Sequence, residues 1–285
     1  MINPKHLETL VAIAEQGSFS AAGEAIGRSH SAVSLHIKAL EEDVGVPLVD
    51  RSQRPPVLTP EGEAMAEQAR RMRRVLQDIE AIGRQEQVVG RLGVGIVPSA
   101  MATLAAPALA RLRSAHPDLQ LEIRTGLSGE LAQAVRSGDL DVALVTAPDL
   151  PPEDLDLKPV ADEPLVVIAP PETKAATDAE MLRGHPFIWF SRKTWAGQQI
   201  ERRLLDRGLR VRAAMEIDSL EAIEALVRHG LGVSVVPASS VGPEVVQTPF
   251  CEPQAVRRVV LAARPRSPKV HLIEALRTAF TDSGT

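Results

Sequence analysis

The stretch "GRSHSAVSLHIKALEEDVGVPLV", residues 27–49, decides how this chain is read. Val33, Ile37, Leu40 and Val44 recur at intervals of three and four, which puts them on one face of a helix. The other face carries Ser31, Ser34, Leu35 and Lys38, with His30 at the leading end and Glu41, Glu42 and Asp43 trailing. One side of the helix therefore needs a core. The other offers small hydroxyls, an imidazole and a lysine to whatever lies outside.

Upstream, Asn3-Pro4 reads as an N-cap followed by proline at the first helical position. Leu7, Leu10, Val11 and Ala14 form the stripe of that helix, and Gly17 closes it. "SFSAAGEAIG" is a second short helix, with Ala22, Ala25 and Ile26 facing inward and Gly27 ending it. Ser29 is the N-cap of the third. Two short helices joined by a glycine-containing turn are the signature of a helix-turn-helix. Downstream, "VPLVDRSQRPPVLT" reads as two extended pieces around a polar turn, a β-wing.

A helix-turn-helix places the N-terminal residues of its second helix against base edges in the major groove. Here that means hydroxyls and an imidazole at the bases, Lys38 at a phosphate, and Arg51 and Arg54 reaching from the wing. His36 flanks the buried stripe, and a structural role outweighs a ligand role for it. The overall charge of −5 opposes nucleic-acid binding as a bulk argument, but the local face decides. Weak local charge also implies that one module alone binds poorly and that two joined modules are needed.

Thr59 and Pro60 start a long helix. Along it Met65, Ala69, Met72, Leu76 and Ile79 are spaced four, three, four and three apart, an a/d seam of about two heptads. A dimer of this helix is the favoured partner for the seam, and packing on the chain's own domain is the alternative.

From Arg91 strands and helices alternate, which predicts an α/β region with largely parallel sheets. The segments around 160–163 and 251–256 look like two connections between two lobes. Ser99, Ser128 and Ser219 each open a helix after a strand. An N-cap is the simplest role for each, although such helix ends also hold carboxylates and other anions. Trp189 and Phe190 belong to a strand and its core, whereas Trp195 with Arg192 and Lys193 is an even contest between a pocket edge and packing. Gly93-x-Gly95 lacks the third glycine of a dinucleotide loop, and no cofactor is expected. The seven histidines are scattered without metal-ligand spacing, and no serine has a base beside it in sequence.

With 285 residues, 44% hydrophobic and 24% charged, the chain suits two or three globular domains. Aromatics are only 2%, so Ala, Val, Leu and Ile must fill the cores. The single cysteine, Cys251, cannot form an internal disulfide. "MINPKHLETL" lacks a signal-peptide profile, and no apolar run approaches the roughly 20 residues of a bilayer span. A cytoplasmic protein without a membrane partner is expected.

With these residues in hand, the chain resembles the LysR-type transcriptional regulators over nearly its whole length. The stretch from "LETLVAIAEQGSFSAAGEAIG" through "VDRSQRPPVLTPEGEAM" carries the specific part of the likeness. "HPDLQLEIRTGLSGELAQAVRSGDLDVALV" and "SLEAIEALVRHGLGVSVVP" are similar to the effector half more loosely. The resemblance implies an α/β fold with an N-terminal winged helix-turn-helix (1–58), a long linker and dimerisation helix (59–90) and a two-lobed, periplasmic-binding-protein-like effector domain (91–285). Lobe one would take 91–160 and 265–285, and lobe two 161–264. It also implies DNA contacts at Ser29, His30, Ser31, Ser34, Leu35, Lys38, Arg51 and Arg54, and an effector site at Ser99, Ala100, Ser128, Thr194 and Ser219.

The implied partners are an inverted-repeat operator, a small effector expected to be anionic, and further copies of the chain as dimer or tetramer, with RNA polymerase as an open addition. His30-Ser31 stands where the family has Gln-Pro, and Val49 where it has Phe, so base preference and the core under the wing depart from the pattern. The competing classes are a plain solute-binding protein with a fused helical region, opposed by the seam, and an enzyme, opposed by the absence of a catalytic constellation.

Overall fold

The computed structural model describes residues 2–81, 88–174 and 177–281. The chain divides at residue 83 into two compact units.

In the first unit, α1 (Pro4–Gln16), α2 (Phe19–Ala25) and α3 (His30–Val44) are each opened by a side-chain cap: Asn3, Ser18 and Ser29 accept from the N–H of Lys5, Ala21 and Ala32. Such caps satisfy backbone donors that the helix itself leaves unpaired. Leu10, Val33, Ile37 and Leu40 are fully buried where the three helices meet, each worth roughly 1.5–3 kcal/mol of burial. On α2 the core residues are Phe19 and Ala22, while Ala25, expected to face inward, is exposed. It sits on the flank of the stripe that Phe19, Ala22 and Ile26 define. Strands β1 (Val49–Asp50) and β2 (Val57–Leu58) pair antiparallel as the wing.

The acidic end of α3 has a structural task. Glu41 accepts from the backbone N–H of Leu48 and Val49 at 3.0 and 3.2 Å and from Arg51 at 3.0 Å, tying the wing to the helix.

Helix α4 (Pro60–Ala81) packs its first turn on the backbone before the wing. A Cβ on Gly62 would meet the Leu48 carbonyl oxygen at 2.1 Å, so only glycine allows the approach. The seam of this helix splits in two. Ala66 and Ala69 are buried with α1, and Met65 and Met72 pack beside them, held by the Arg73–Glu15 pair at 3.0 Å. The first half of the seam thus serves the chain's own core, correcting the assignment of the whole seam to a dimer. Val75, Leu76 and Ile79 remain 56, 46 and 57% exposed.

The second unit holds β3 (Gly90–Ile96), α5 (Pro98–Ala100), a π-turn (Met101–Ala105), α6 (Ala106–Ala115), β4 (Leu119–Thr125), α7 (Ser128–Ser137) and β5 (Val142–Thr146). Then come β6 (Asp156–Ala169), α8 (Asp178–Gly184), β7 (Pro186–Phe190), α9 (Trp195–Asp206), β8 (Arg212–Ile217), α10 (Leu220–Arg228), β9 (Ser234–Pro237), β10 (Val246–Pro249), β11 (Val256–Ala263) and α11 (Val270–Thr281). Gly93 and Gly95 lie inside β3, as strand residues.

The sheet order β10-β6-β11-β5-β3-β4, with β9 also on β6, is mixed. Pairings among β3, β4 and β5 and between β7 and β8 are parallel, but every pairing of β6 and β11 is antiparallel. The expectation of largely parallel sheets fails because β6 and β11 run antiparallel to each other and to β5, β9 and β10. Residues 160–163, expected as a connection between lobes, lie in β6, which carries the chain from the first lobe into the second. One core gathers Leu92, Ile96, Leu131, Leu144, Val259–Ala262 and Leu276. The other lobe is filled around Phe187, Trp189, Val235 and Phe250 on one side and Ile188, Ile223 and Val227 on the other. Strand β11, placed by sequence in the second lobe, therefore packs mainly in the first.

Where β6 and β11 pass between lobes, Arg257 and Glu163 form a buried ion pair with side chains 1 and 4% exposed. Arg257 Nε donates to Glu163 Oε2 at 2.7 Å, Arg257 Nη1 donates to Ser99 Oγ at 2.7 Å, and Ser239 Oγ donates to Glu163 Oε1 at 2.6 Å. Breaking such a pair strands a buried charge, so Glu163→Ala is expected to cost about 3–5 kcal/mol. The double change Glu163→Leu with Arg257→Met should recover most of that. Urea denaturation followed by tryptophan fluorescence checks both, since both tryptophans lie in this unit.

Candidate functional site

Burial of Val33, Ile37 and Leu40 turns the other face of α3 outward. Ser29, His30 and Ser31 are exposed at its start, with the Ser29 and Ser31 hydroxyls 3.0 Å apart and the His30 ring tilted against Phe19 at 5.8 Å. Ser34 is half-buried, Leu35 is 66% exposed, and the Lys38 side chain is 71% exposed, with Glu42 3.8 Å from its Nζ. Arg54 is exposed in the wing. Arg51 is half-exposed and committed in part to Glu41, so the wing contact expected of it competes with a structural pair. A shallow concavity joins this face to its neighbours, lined by Ser18, Phe19, Ser20, His30, Ser34, Arg51, Pro55 and Pro56. Sequence reasoning missed Ser18, Ser20 and the two prolines, which approach α3 only once the unit is folded.

His36 sits on the flank. Its Nδ1 is 2.8 Å from Thr9 Oγ1, and its ring stacks on His6 at 4.5 Å.

In the second unit a cleft of about 440 Å³ opens between the lobes. Ser99, Ser128, Thr194 and Ser219 line it, as expected from sequence. Ala100 does not: it is fully buried in the first core. The capping roles also divide. Ser219 and Thr194 cap α10 and α9, accepting from Ala222 N and Gly197 N at 3.2 and 2.9 Å. Ser99 lies inside α5 and accepts from Arg257 instead. Ser128 is the first residue of α7, behind Leu127, whose side chain supplies no cap.

Ser128 and Thr146 are 3 and 2% exposed, line the cleft, and have no side-chain hydrogen-bond partner among the described residues. The apolar lining comes from Val97, Met101, Leu127, Phe190 and Leu220, and the charged lining, among the described residues, from Asp218 and Glu221 alone. Thr146, Asp218 and Glu221 were not singled out from sequence. A strand end and the acids flanking a cap carry no signal of their own until the lobes face each other.

Trp195, Arg192 and Lys193 do not line the cleft. Trp195 packs against the first core, and Arg192 is held by Glu216 and lies 5.2 Å from the centre of the Trp189 ring. Cys251 is half-buried, 3.6 Å from Arg207 Nη1, and burial raises its thiol pKa against the opposing pull of Arg207, the setting of an unreactive thiol. No metal-holding group of side chains occurs among the described residues, and no described helix is long and apolar enough to cross a membrane.

A winged helix-turn-helix joined in one chain to a two-lobed unit with a ligand-sized cleft defines a ligand-responsive DNA-binding regulator. Residues 4–63 match the bacterial regulatory helix-turn-helix protein model of the lysR family, and residues 85–284 match the LysR substrate binding domain. The chain belongs to the LysR family of transcriptional regulators.

Among its relatives is a probable hydrogen peroxide-inducible genes activator of Streptomyces viridosporus, 30% identical over 97% of this chain and 94% of that protein. Another is the HTH-type transcriptional regulator YfeR of Shigella flexneri, 28% identical over 98% and 94%. A single-substitution variant of full-length OxyR from Pseudomonas aeruginosa has a similar structure, with a TM-score of 0.73, 27% identity and 98% of both chains covered.

The His6–His36 stack yields a prediction. Burial first, then His6 and Arg28, hold the His36 imidazole below its ordinary 6.5. The unfolded chain thus binds the extra proton more readily, so this contribution is intact above about pH 6.5 and is lost as pH falls from there through the lowered folded value. Acid should weaken the first unit over that window, and His36→Gln should flatten the dependence. Thermal melts across pH 5–8, followed by circular dichroism, check it.

Proposed function

We propose that two copies of this chain read an inverted-repeat operator, each laying α3 in the major groove of half-sites about one helical turn apart. His30, Ser31, Ser34 and Leu35 would meet base edges, Ser29 and Lys38 phosphates, and Arg51 and Arg54 the backbone or the neighbouring minor groove. The observation that carries this reading is the exposed face of α3, polar apart from Leu35 and set opposite a buried stripe. Residues 1–58 would be the reading head, 59–90 the dimerising helix and 91–285 the effector domain. The still-exposed Val75, Leu76 and Ile79 support pairing through the second half of α4.

A small molecule in the cleft would act by binding one arrangement of the lobes better than another, since an effector with equal affinity for both shifts nothing. A purely anionic effector, the expectation from sequence, fits this lining poorly, since among the described residues the cleft carries two acidic side chains and no basic one. The protein is read as a regulator without catalytic activity, acting in the cytoplasm, with RNA polymerase as a further partner. Peroxide induction is named for a relative, and Cys251, half-buried with its thiol pKa raised by burial, gives no support for it here.

Lys38→Ala should lower operator affinity and reduce the slope of log affinity against log salt by about one unit, the signature of a lost phosphate contact. Gel-shift titration at several salt concentrations measures both. No change in either would remove Lys38 from the DNA interface.

A further inference from the structure

The cleft is polar in two different ways at its two walls, and that asymmetry bears on the chemistry of its ligand. On the first lobe, α7 begins without a side-chain cap, because Leu127 occupies the position where Ser219 and Thr194 serve the other two helices. Glu130 of the same first turn accepts from the Leu127 N–H at 3.4 Å, and the N–H groups that follow are left to whatever sits in front of them, a place where a second anion can dock. The Ser128 hydroxyl, on a residue only 3% exposed, opens into the cleft at the same place, and Thr146, 2% exposed on the adjoining strand end, adds a second hydroxyl lining it, neither with a side-chain partner among the described residues. Two hydroxyls that open into one cavity from otherwise buried residues are fixed in place to hydrogen-bond whatever fills it.

On the second lobe, Asp218 and Glu221 flank the cap of α10. Acids at a helix start are common and stabilise it through the helix dipole, but these two line the ligand cavity. Glu221 accepts a hydrogen bond from Ser219 Oγ at 2.9 Å, and neither acid has a basic partner among the described residues. Glu221 also borders a second recess of about 330 Å³, where the buried Thr103 hydroxyl is again without a partner. Between the two walls lie Val97, Met101, Leu127, Phe190 and Leu220.

Resting on the reading of this cleft as the effector site, we propose that the effector is a zwitterion with an apolar body, in the class of an apolar amino acid. Its carboxylate sits on the first turn of α7 with Ser128 and Thr146. Its ammonium group is held by Asp218 and Glu221. A cavity of about 440 Å³ is within the range that takes a small metabolite.

The test uses the full-length protein, with thermal-shift screening followed by titration calorimetry. The probes are the apolar L-amino acids, their 2-hydroxy acid counterparts, and the amines that lack the carboxylate. At least one amino acid is expected to bind, with its hydroxy acid and its amine each about tenfold weaker or more, the loss from one unmade charge-assisted contact. Asp218→Asn with Glu221→Gln should cost the amino acid at least that factor while leaving the hydroxy acid unharmed. Ser128→Ala should weaken both.

Hydroxy acids binding as tightly as amino acids, indifference to the Asp218/Glu221 double change, or a panel without a binder would each overturn the proposal. If a plain carboxylate binds and only Ser128→Ala weakens it, the cationic subsite is wrong and the cleft stands as the effector site. If a bound probe is indifferent to all three substitutions, the cleft itself is the wrong place.

Discussion

Val33, Ile37 and Leu40 must be buried for the three N-terminal helices to hold together, and a helix offers only one face at that spacing. Everything on the opposite face of α3 is turned outward by this requirement. The same residues that satisfy the core of a small, aromatic-poor unit thus present Ser31, Leu35 and Lys38 to the outside. The unit also gives its acids structural work: Glu41 ties the wing and Glu42 sits beside Lys38. A net negative protein can in this way carry a helix face that is not acidic where it counts.

A comparable constraint governs the second unit. Its lobes are joined where β6 leaves the first for the second and β11 enters the first, and the polar network of Arg257, Glu163, Ser99 and Ser239 lies at that joint. Arg257 reaches a cleft-lining residue of the first lobe, while Glu163 receives a hydroxyl of the second. A ligand that alters how the lobes meet must accommodate or repack this network. Satisfied buried polar groups tend to favour discrete arrangements over gradual ones. In the proposed function, that joint is where binding in the cleft becomes a change in the rest of the protein, with coupling set by the ligand's differential affinity for the two arrangements.

Much of this was readable from residue order, and the exceptions share a cause. The period of α3, the Asn3-Pro4 and Thr59-Pro60 starts and the strand runs of the second unit are local signals, and local signals survive folding. What failed were statements that depend on partners distant in sequence. The α4 seam obeys a heptad rule, yet Ala69 and Met72 find α1 before any second copy. Ser128 reads as a cap but is the residue after one, a one-position difference that leaves its hydroxyl free for the cleft. Asp218 and Glu221 look like ordinary helix-start acids until two lobes enclose them.

The central claim is that the outward face of α3 exists to read duplex DNA in pairs. Hydroxyl-radical footprinting of the full-length protein on the intergenic DNA beside its own gene tests it most directly. The account predicts two protected patches on one face of the duplex, with centres about 10 base pairs apart or a multiple of that. A single isolated patch, or uniform weak protection that disappears with competitor DNA, would contradict it.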